Sequence, residues 1–515
     1  MMDRSAFTPY DMVKELWTHL ELPPTALSSL SLPGLTPTWD NMRSVIPSSF
    51  KIGHLAQSTI ALSALGAAVA HAALRTSHAK EIPRTAVPLR HAVLEFQCER
   101  LYTLAGAQPA ETWGPIGGLH GTADGYVRIH DAFPHHRGGA LALLGLAATC
   151  TERREVSART RQWGKEALEE KAGEMGLPIY ALREAGEWDA LPQGREGEGF
   201  PVGIRWVGGG TLLRPRPNRY EGLGRREGGE RRCLDGLRVL EFSRVIAAPV
   251  AGKTLAAHGA DVLWVTSPRL PDLPPLDREF ARGKRSIQLD LDVEADKAKL
   301  LELVRDADVV IQGYRPGSLA GKGLSPEELA KVNPGIIVAN LSAFGPGGVW
   351  GERRGFDSLV QTCGGINVAE AERYGKDGGE ASVARPLPCQ ALDHGAGYLL
   401  AAGISAAVWR RERDREEGKG GGVGGVRGAY VVEVSLVGVM KYLRSLGQFE
   451  GRSGFEGEDC TILGTDEEEK EYFETRQTVF GEMRFLKHSA HVEGLEPGWD
   501  RMPTPLGSEE AVWVS

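Results

Sequence analysis

The chain has 515 residues, 41% hydrophobic and 25% charged, with a formal net charge of −8 at pH 7 and 6 cysteines. That is ample material for sizeable cores, and the acidic balance gives no reason to expect nucleic acid or an anionic membrane as partner. The cysteines (Cys98, Cys150, Cys233, Cys363, Cys389, Cys460) form no C-x-x-C pair, so neither a zinc site nor a disulfide framework is indicated, and reduced thiols are the default.

Taken in chain order, the first 14 residues carry Asp3 and Asp11, lack an apolar run and are not arginine-rich. Neither a secretory nor a transit peptide is expected, and a cytoplasmic location is the expectation, with mitochondrion and peroxisome left open. The most apolar stretch, residues 60–74, is interrupted by Ser63 and His71 and rich in alanine, which predicts a buried helix rather than a membrane span. Residues 1–112 read as a helical arm. Residues 123–146 (ADGYVRIHDAFPHHRGGALALLGL) read as strand, loop and helix of a smaller α/β domain spanning 113–207. Glycine and charge dominate 194–229, a composition that buries little, so 208–233 is expected to be a linker.

After it, strand and helix patterns alternate: LRVLEF (237–242), VIAAPVAGKTLAAHGA (245–260), ADVLWV (260–265), SIQLDL (286–291), EADKAKLLELVRDA (294–307), DVVIQGY (308–314), SPEELAKVN (325–333) and GIIVANLSAF (335–344). Alternation of this kind predicts a largely parallel sheet covered by helices, a Rossmann-like unit within a domain spanning 234–411. A glycine-rich insertion is expected at 412–428 and a strand, helix and tail at 429–515. The small-residue helix pattern at 52–75 echoes that at 392–411, and 87–104 echoes 429–446, which predicts an internal partial duplication. The first strand lacks a dinucleotide fingerprint: Ala247 and Ala248 stand where a Gly-x-Gly turn would let a pyrophosphate approach, so a nicotinamide cofactor is not expected.

Six motifs in order, LDGLRVLEFSRVIAAPVAGKTLAAHGADVLWV, RGKRSIQLDL, DADVVIQGYRPGSLAGKGL, NPGIIVANLSAFGPGG, GFDSLVQTCGG and ALDHGAGYLLAAGISAAV, resemble the family III CoA-transferases. This is the CaiB/BaiF group that includes formyl-CoA transferase, carnitine CoA-transferase and α-methylacyl-CoA racemase. The resemblance implies transfer of CoA between carboxylic acids, with acyl-CoA and a small acid as partners, no permanently bound cofactor, and a homodimer or intrachain pseudo-dimer. It also implies that Asp393 is a covalent nucleophile, although a carboxylate ahead of a small-residue helix is by itself an ordinary N-cap. Ala247, Arg282, Lys284, Tyr314, Arg315, Arg354 and Asp357 are the implied CoA contacts, the cations matching phosphate oxygens; surface charge is the plain alternative. Racemases of the family carry a histidine where this chain has Phe356, which disfavours two-base racemisation, and His394 is expected to point elsewhere. An acyl-CoA racemase or isomerase, or a CoA-binding pseudoenzyme, are the alternatives.

Overall fold

The computed structural model describes residues 2–35, 44–75, 81–196, 199–207, 231–375, 383–416, 428–457 and 459–514. From the N-terminus, helix α1 (Ile52–Leu74) is buried along nearly its whole length. Strands β1 (Gly118–Gly121), β2 (Tyr126–Ile129) and β3 (Ile179–Ala181) form a small antiparallel sheet in the order β1-β2-β3, with helix α2 (Pro134–Leu143) beside it. Alternation along β2 sends Val127 and Ile129 into an apolar cluster with Leu141, Val156, Leu168 and Ile179. By the strand's period of two, Arg128 faces the other way.

A second, seven-stranded sheet carries the rest. Its members are β4 (Val202–Val207), β5 (Arg238–Phe242), β6 (Asp261–Thr266), β7 (Arg285–Gln288), β8 (Val309–Gln312), β9 (Ile337–Ser342) and β10 (Ala429–Ser435), in the order β7-β6-β5-β8-β9-β10-β4. All neighbours are parallel except β10 and β4. A parallel sheet must be covered on both faces, and these strands are apolar on both. Val239, Ile311, Ile337 and Val432 pack on the large core with α1, while Leu240, Val310, Val338 and Val431 pack on a second cluster with Leu300 and Leu303 of the helix that follows β7. The order places a topological switch point between β5 and β8, where the crevice beyond the carboxyl ends of the strands is free to receive a ligand. Helix α3 (Ala247–Ala257) follows β5, α4 (Glu294–Asp306) follows β7, and α5 (Asp357–Cys363), α6 (Ala391–Glu416) and α7 (Leu436–Ser445) complete the scaffold.

The strand and helix predictions for 237–344 therefore match the structure, but three expectations are corrected. Strands β4 and β10, assigned to separate flanking units, both pair into the large sheet, because backbone hydrogen bonding ignores distance along the chain. The composition of 194–229 does not begin as linker: Gln193 and Gly194 are buried, and Gln193 donates to the Phe344 carbonyl at 2.8 Å and accepts from the Trp350 amide at 2.7 Å. The expected insertion at 412–428 starts as helix, since α6 runs on to Glu416; residues 417–427 and the linker at 208–230 lie outside the described residues. A duplication is not shown. Helices α1 and α6 do pack together, with Gly66 against Ser405 and Ala402, but the short strand Thr85–Ala86 after α1 pairs outside the large sheet that holds β10.

Among the described residues α1 is the one helix long and apolar enough to cross a membrane, and its apolar window is 100% buried inside the protein. The C-terminal tail covers the edge strand β7. Amides of Gly507 and Glu509 bond to Ser286 at 3.0 Å, and the Val512 carbonyl accepts from Arg285 at 2.6 Å, so β7 is not left as an open edge.

Candidate active site

Two cavities open at the carboxyl ends of the strands, and Asp393 lines both. It occupies the first turn of α6 and is 7% exposed. Asp393 is not the cap of its helix, as a carboxylate at this point in the sequence suggests. That role falls to Asp357 at the start of α5, whose carboxylate accepts the amides of Leu392 at 2.8 Å and Asp393 at 3.0 Å. Asp357 also accepts from the Gln361 side chain. With the α6 amides of Leu392 and Asp393 satisfied by Asp357, the Asp393 carboxyl is not used in capping its helix. Burial, then the neighbouring Asp357 and Glu99, push the Asp393 carboxyl well above the ordinary carboxylate range. Burial likewise pushes Asp357 up to about 6, and its hydrogen bonds hold it back.

The cavity at the switch point has a volume of about 270 Å3 and gathers Arg244, Arg315 and Arg354, with Asp393 as its one acidic lining residue among those described. Ala247 and Tyr314 line it as well. Arg315 is exposed, and Arg354 is half-buried and donates to the Gly176 carbonyl at 2.6 Å. Burial and the nearby Arg315 charge lower the affinity of Arg354 for its proton, as expected of guanidinium groups crowded without a counter-ion. Arg244 lies 4.3 Å from the Phe133 ring and donates to the Pro271 carbonyl. The N-terminus of α3 opens here too. Its N-cap, Ile246, has no side-chain acceptor, and Ala247 and Ala248 line the wall, so amide dipoles add to the positive field.

Val245 and Ile246, immediately before α3, line both cavities, and Val245 is held at φ 71°. A β-branched residue in the left-handed region is strained, and such strain concentrates at functional turns. Helix α3 and helix α6 approach closely here: a Cβ on Gly397 would stand 2.5 Å from the Ala247 carbonyl oxygen and 2.6 Å from Val250 Cβ. Only a hydrogen fits.

The other cavity, about 510 Å3, is lined by Glu99, Arg100, Trp113, Arg128, His130, Phe356, Asp357 and Asp393 among others. Phe356 stacks on His130 with 3.8 Å between ring centroids, and burial pushes that imidazole down to about 3, so it stays neutral. His394 points away, its Nε2 2.9 Å from Glu99 Oε2. Cys98, Glu99 and His394 offer ligand atoms within 4.8 Å of one another, but the Lys253 ammonium donates to Cys98 Sγ at 3.2 Å, a cation that disfavours a metal ion there. Cys389 is buried at the cavity wall, and burial raises its thiol well above the ordinary range, which suits a structural role.

Of the seven implied CoA contacts, Ala247, Tyr314, Arg315 and Arg354 come together at the switch point. Arg282 and Lys284 do not. Arg282 is fully buried, paired with Glu279 and packed 4.0 Å from the Trp499 ring. Lys284 donates to Glu241 at 2.8 Å and to the Pro249 carbonyl at 2.9 Å beneath α3. A Cβ on Gly252 would stand 1.6 Å from Glu241 Oε2, so the glycine makes room for this pair. Both cations brace the scaffold rather than meet a ligand. Asp357 lies in the other cavity as the partner of the α6 amides. The residues that the sequence did not suggest are Arg244, which follows β5 directly, and Glu99, Trp113, Arg128, His130, His135 and His136, which come from upstream segments.

Residues 234–454 match the family model described as CoA-transferase family III. A "Probable fatty acyl-CoA transferase Rv3272" of Mycobacterium tuberculosis is 37% identical over 194 residues, 35% of this chain and 48% of that protein. An "Acyl-CoA transferase" of Gibberella moniliformis is 31% identical over 265 residues, 50% of this chain and 44% of the relative. The chain thus spans about half the length of these curated relatives. The crystal structure of Rv3272 aligns at 32% identity over 42% of this chain and 58% of that one, with a TM-score of 0.33. Residues 234–454, which build strands β5 to β10 of the large sheet, the α3 turn and the Asp393 segment, are the part of the chain that matches CoA-transferase family III.

Proposed function

We propose that this chain transfers CoA between carboxylic acids, with Asp393 as covalent nucleophile. The observation that carries the reading is the position of Asp393 on the wall common to two cavities, one rich in arginine at the switch point of the sheet and one larger and more mixed. CoA is an anion at its nucleotide end, and Arg244, Arg315 and Arg354 with the α3 amides suit its phosphates.

In the first step the Asp393 carboxylate attacks the thioester carbonyl and expels CoA thiolate, leaving a mixed anhydride. The thiolate then attacks the aspartyl carbonyl and releases the first acid, giving an aspartyl–CoA thioester. The second acid attacks that thioester, expelling the thiolate again and forming a new anhydride. Attack of the thiolate on the acyl carbonyl completes the new acyl-CoA and restores the carboxylate. The raised pKa makes Asp393 more nucleophilic once ionised and leaves less of it ionised, so the reacting form is its deprotonated fraction, and the position of the Asp357 carboxylate against the α6 amides fixes its backbone. Racemisation has less support, because the nearest imidazole to Phe356 is the stacked, neutral His130.

Incubation with succinyl-CoA and acetate, followed by hydroxylamine trapping and peptide mapping, is expected to place a hydroxamate on Asp393. Asp393→Asn keeps the side-chain volume and is expected to lower transfer by roughly a thousandfold or more. A fully active Asn variant, or an adduct elsewhere, would refute the mechanism; CoA binding with no adduct across a broad panel of acyl-CoA donors would favour the pseudoenzyme.

A further inference from the structure

We infer that Arg128, on β2 of the small sheet and outside the family-matched region, is the specificity residue that receives the carboxylate of the free acid in the larger cavity. The inference rests on the transferase reading for its meaning but on separate residues for its support.

An acid that approaches Asp393 through this cavity meets Glu99, Glu111, Asp357 and Asp393 on its walls. A second carboxylate brought among them is repelled unless a cation offsets the field, and partial burial makes that repulsion stronger than in water. The cations among the lining residues are Arg100 and Arg128. Arg100 is exposed, and its guanidinium donates to the Pro388 carbonyl. Arg128 is half-buried and, among the described residues, has no contact ion pair and no side-chain hydrogen bond; the Asp357 charge acts on it from a distance, and its guanidinium lies 6.0 Å from the Trp113 ring. Five N–H donors taken partly out of water without an acceptor are costly, and a planar fork is matched by a carboxylate.

The fold keeps Arg128 in this orientation. Val127 and Ile129 are locked in the apolar cluster, so Arg128 between them is turned to the opposite face of β2. The loop that carries Trp113 is held by Asp131, which accepts the amides of Gly114 at 3.0 Å and Ile116 at 2.8 Å. Trp113 thus forms a fixed aromatic wall beside the guanidinium, able to cover the hydrocarbon part of an acid while the fork takes its head.

The test is equilibrium binding of hexanoate, succinate and the neutral isostere hexanamide, followed by ligand-observed NMR on the full chain. Wild type is expected to bind the two acids saturably and hexanamide at least about tenfold more weakly, and Arg128→Gln to lose that preference while Arg128→Lys keeps part of it. In transfer assays the Gln variant is expected to raise KM for the acid with little change in KM for the CoA thioester. Acid binding that is equal in wild type and Arg128→Gln, with both folded by circular dichroism, overturns the inference, as does the absence of saturable acid binding by wild type. Arg128-dependent acid binding without any Asp393 adduct would leave the inference standing and remove the transferase mechanism.

Discussion

The seven-stranded sheet and the small antiparallel sheet contribute to one site in opposite ways. The large sheet offers what its topology dictates: a switch-point crevice, a helix N-terminus and arginines at the ends of adjacent connections. The small sheet offers side chains with no such general reason to be there, namely Arg128, His130 and, from α2 and the turn before it, Phe133, His135 and His136. On the reading proposed above, the first region binds CoA largely by architecture, and Arg128 of the second selects the acid. Asp393 stands between them, but the walls are shared: Phe133, His135 and His136 line the arginine cavity and Val245, Ile246 and Phe356 line both, so the proposed division of labour between CoA and acid lies between the two cavities rather than between the two sheets.

The strongest way to break that division is Asp393→Asn. Transfer is expected to vanish, yet calorimetry should find CoA bound with near wild-type affinity, because the arginine cavity is intact; joint loss of both would mean that the carboxylate is part of the CoA site. Next in size is the pair Arg315→Ala and Arg354→Ala. Each is expected to weaken CoA by roughly 10- to 100-fold, measured by calorimetry, with acid binding unchanged. A comparison with 3′-dephospho-CoA sharpens the assignment, since a variant that has lost the contact to that phosphate no longer distinguishes the two ligands.

Asp357 gives a smaller and more specific effect. Its negative charge helps to raise the Asp393 pKa, so Asp357→Asn is expected to shift the acid limb of kcat/KM to lower pH by roughly one unit, because Asp393 then ionises more readily. An unmoved limb would show that the two carboxyl groups titrate independently. The effect most remote from the site is the dependence of stability on pH. Burial holds His54 and His130 at about 3 and His91 and His120 at about 4. The unfolded chain takes up these protons near pH 6.5 and the folded chain does not, so stability falls as pH drops from 6.5 towards 4, by about 2 kcal/mol per imidazole at pH 5. Asp357 and Asp277, each raised to about 6, and Asp393, raised well above the usual range, run in the opposite direction, while half-buried His71 and buried His258 and His488 add to the loss. The histidines outnumber these carboxyl groups, and Tm by calorimetry is expected to be lower at pH 5 than at pH 7.

The same contrast explains what could be read without a structure. Strands β5 to β9 announce themselves because a parallel strand buried on both faces is a short continuous apolar run. Motif order pointed to Asp393 and to four of the seven CoA contacts that meet at the switch point. Arg282 and Lys284 were legible as cations but not as buried ones, since Glu279 is hidden beside Arg282 and Glu241 comes from another strand. The roles of Asp357 and Arg128 were not legible at all. A carboxylate that accepts amides 35 and 36 residues further on, and an arginine turned out by its neighbours in a separate sheet, are products of tertiary packing.

Gly397 lets that packing act at a distance from any substrate. Because no Cβ separates α6 from the Ala247 carbonyl, the α3 turn that faces the switch-point cavity and the α6 turn that carries Asp393 are packed directly against each other. On the proposed mechanism, a separation set by this close packing would turn the meeting of thioester and carboxylate into a problem of effective concentration already solved by the fold. A single added methyl group in Gly397→Ala would wedge the helices apart. Rate, rather than affinity for either ligand, is where the displacement would register, since each cavity would survive while their alignment would not.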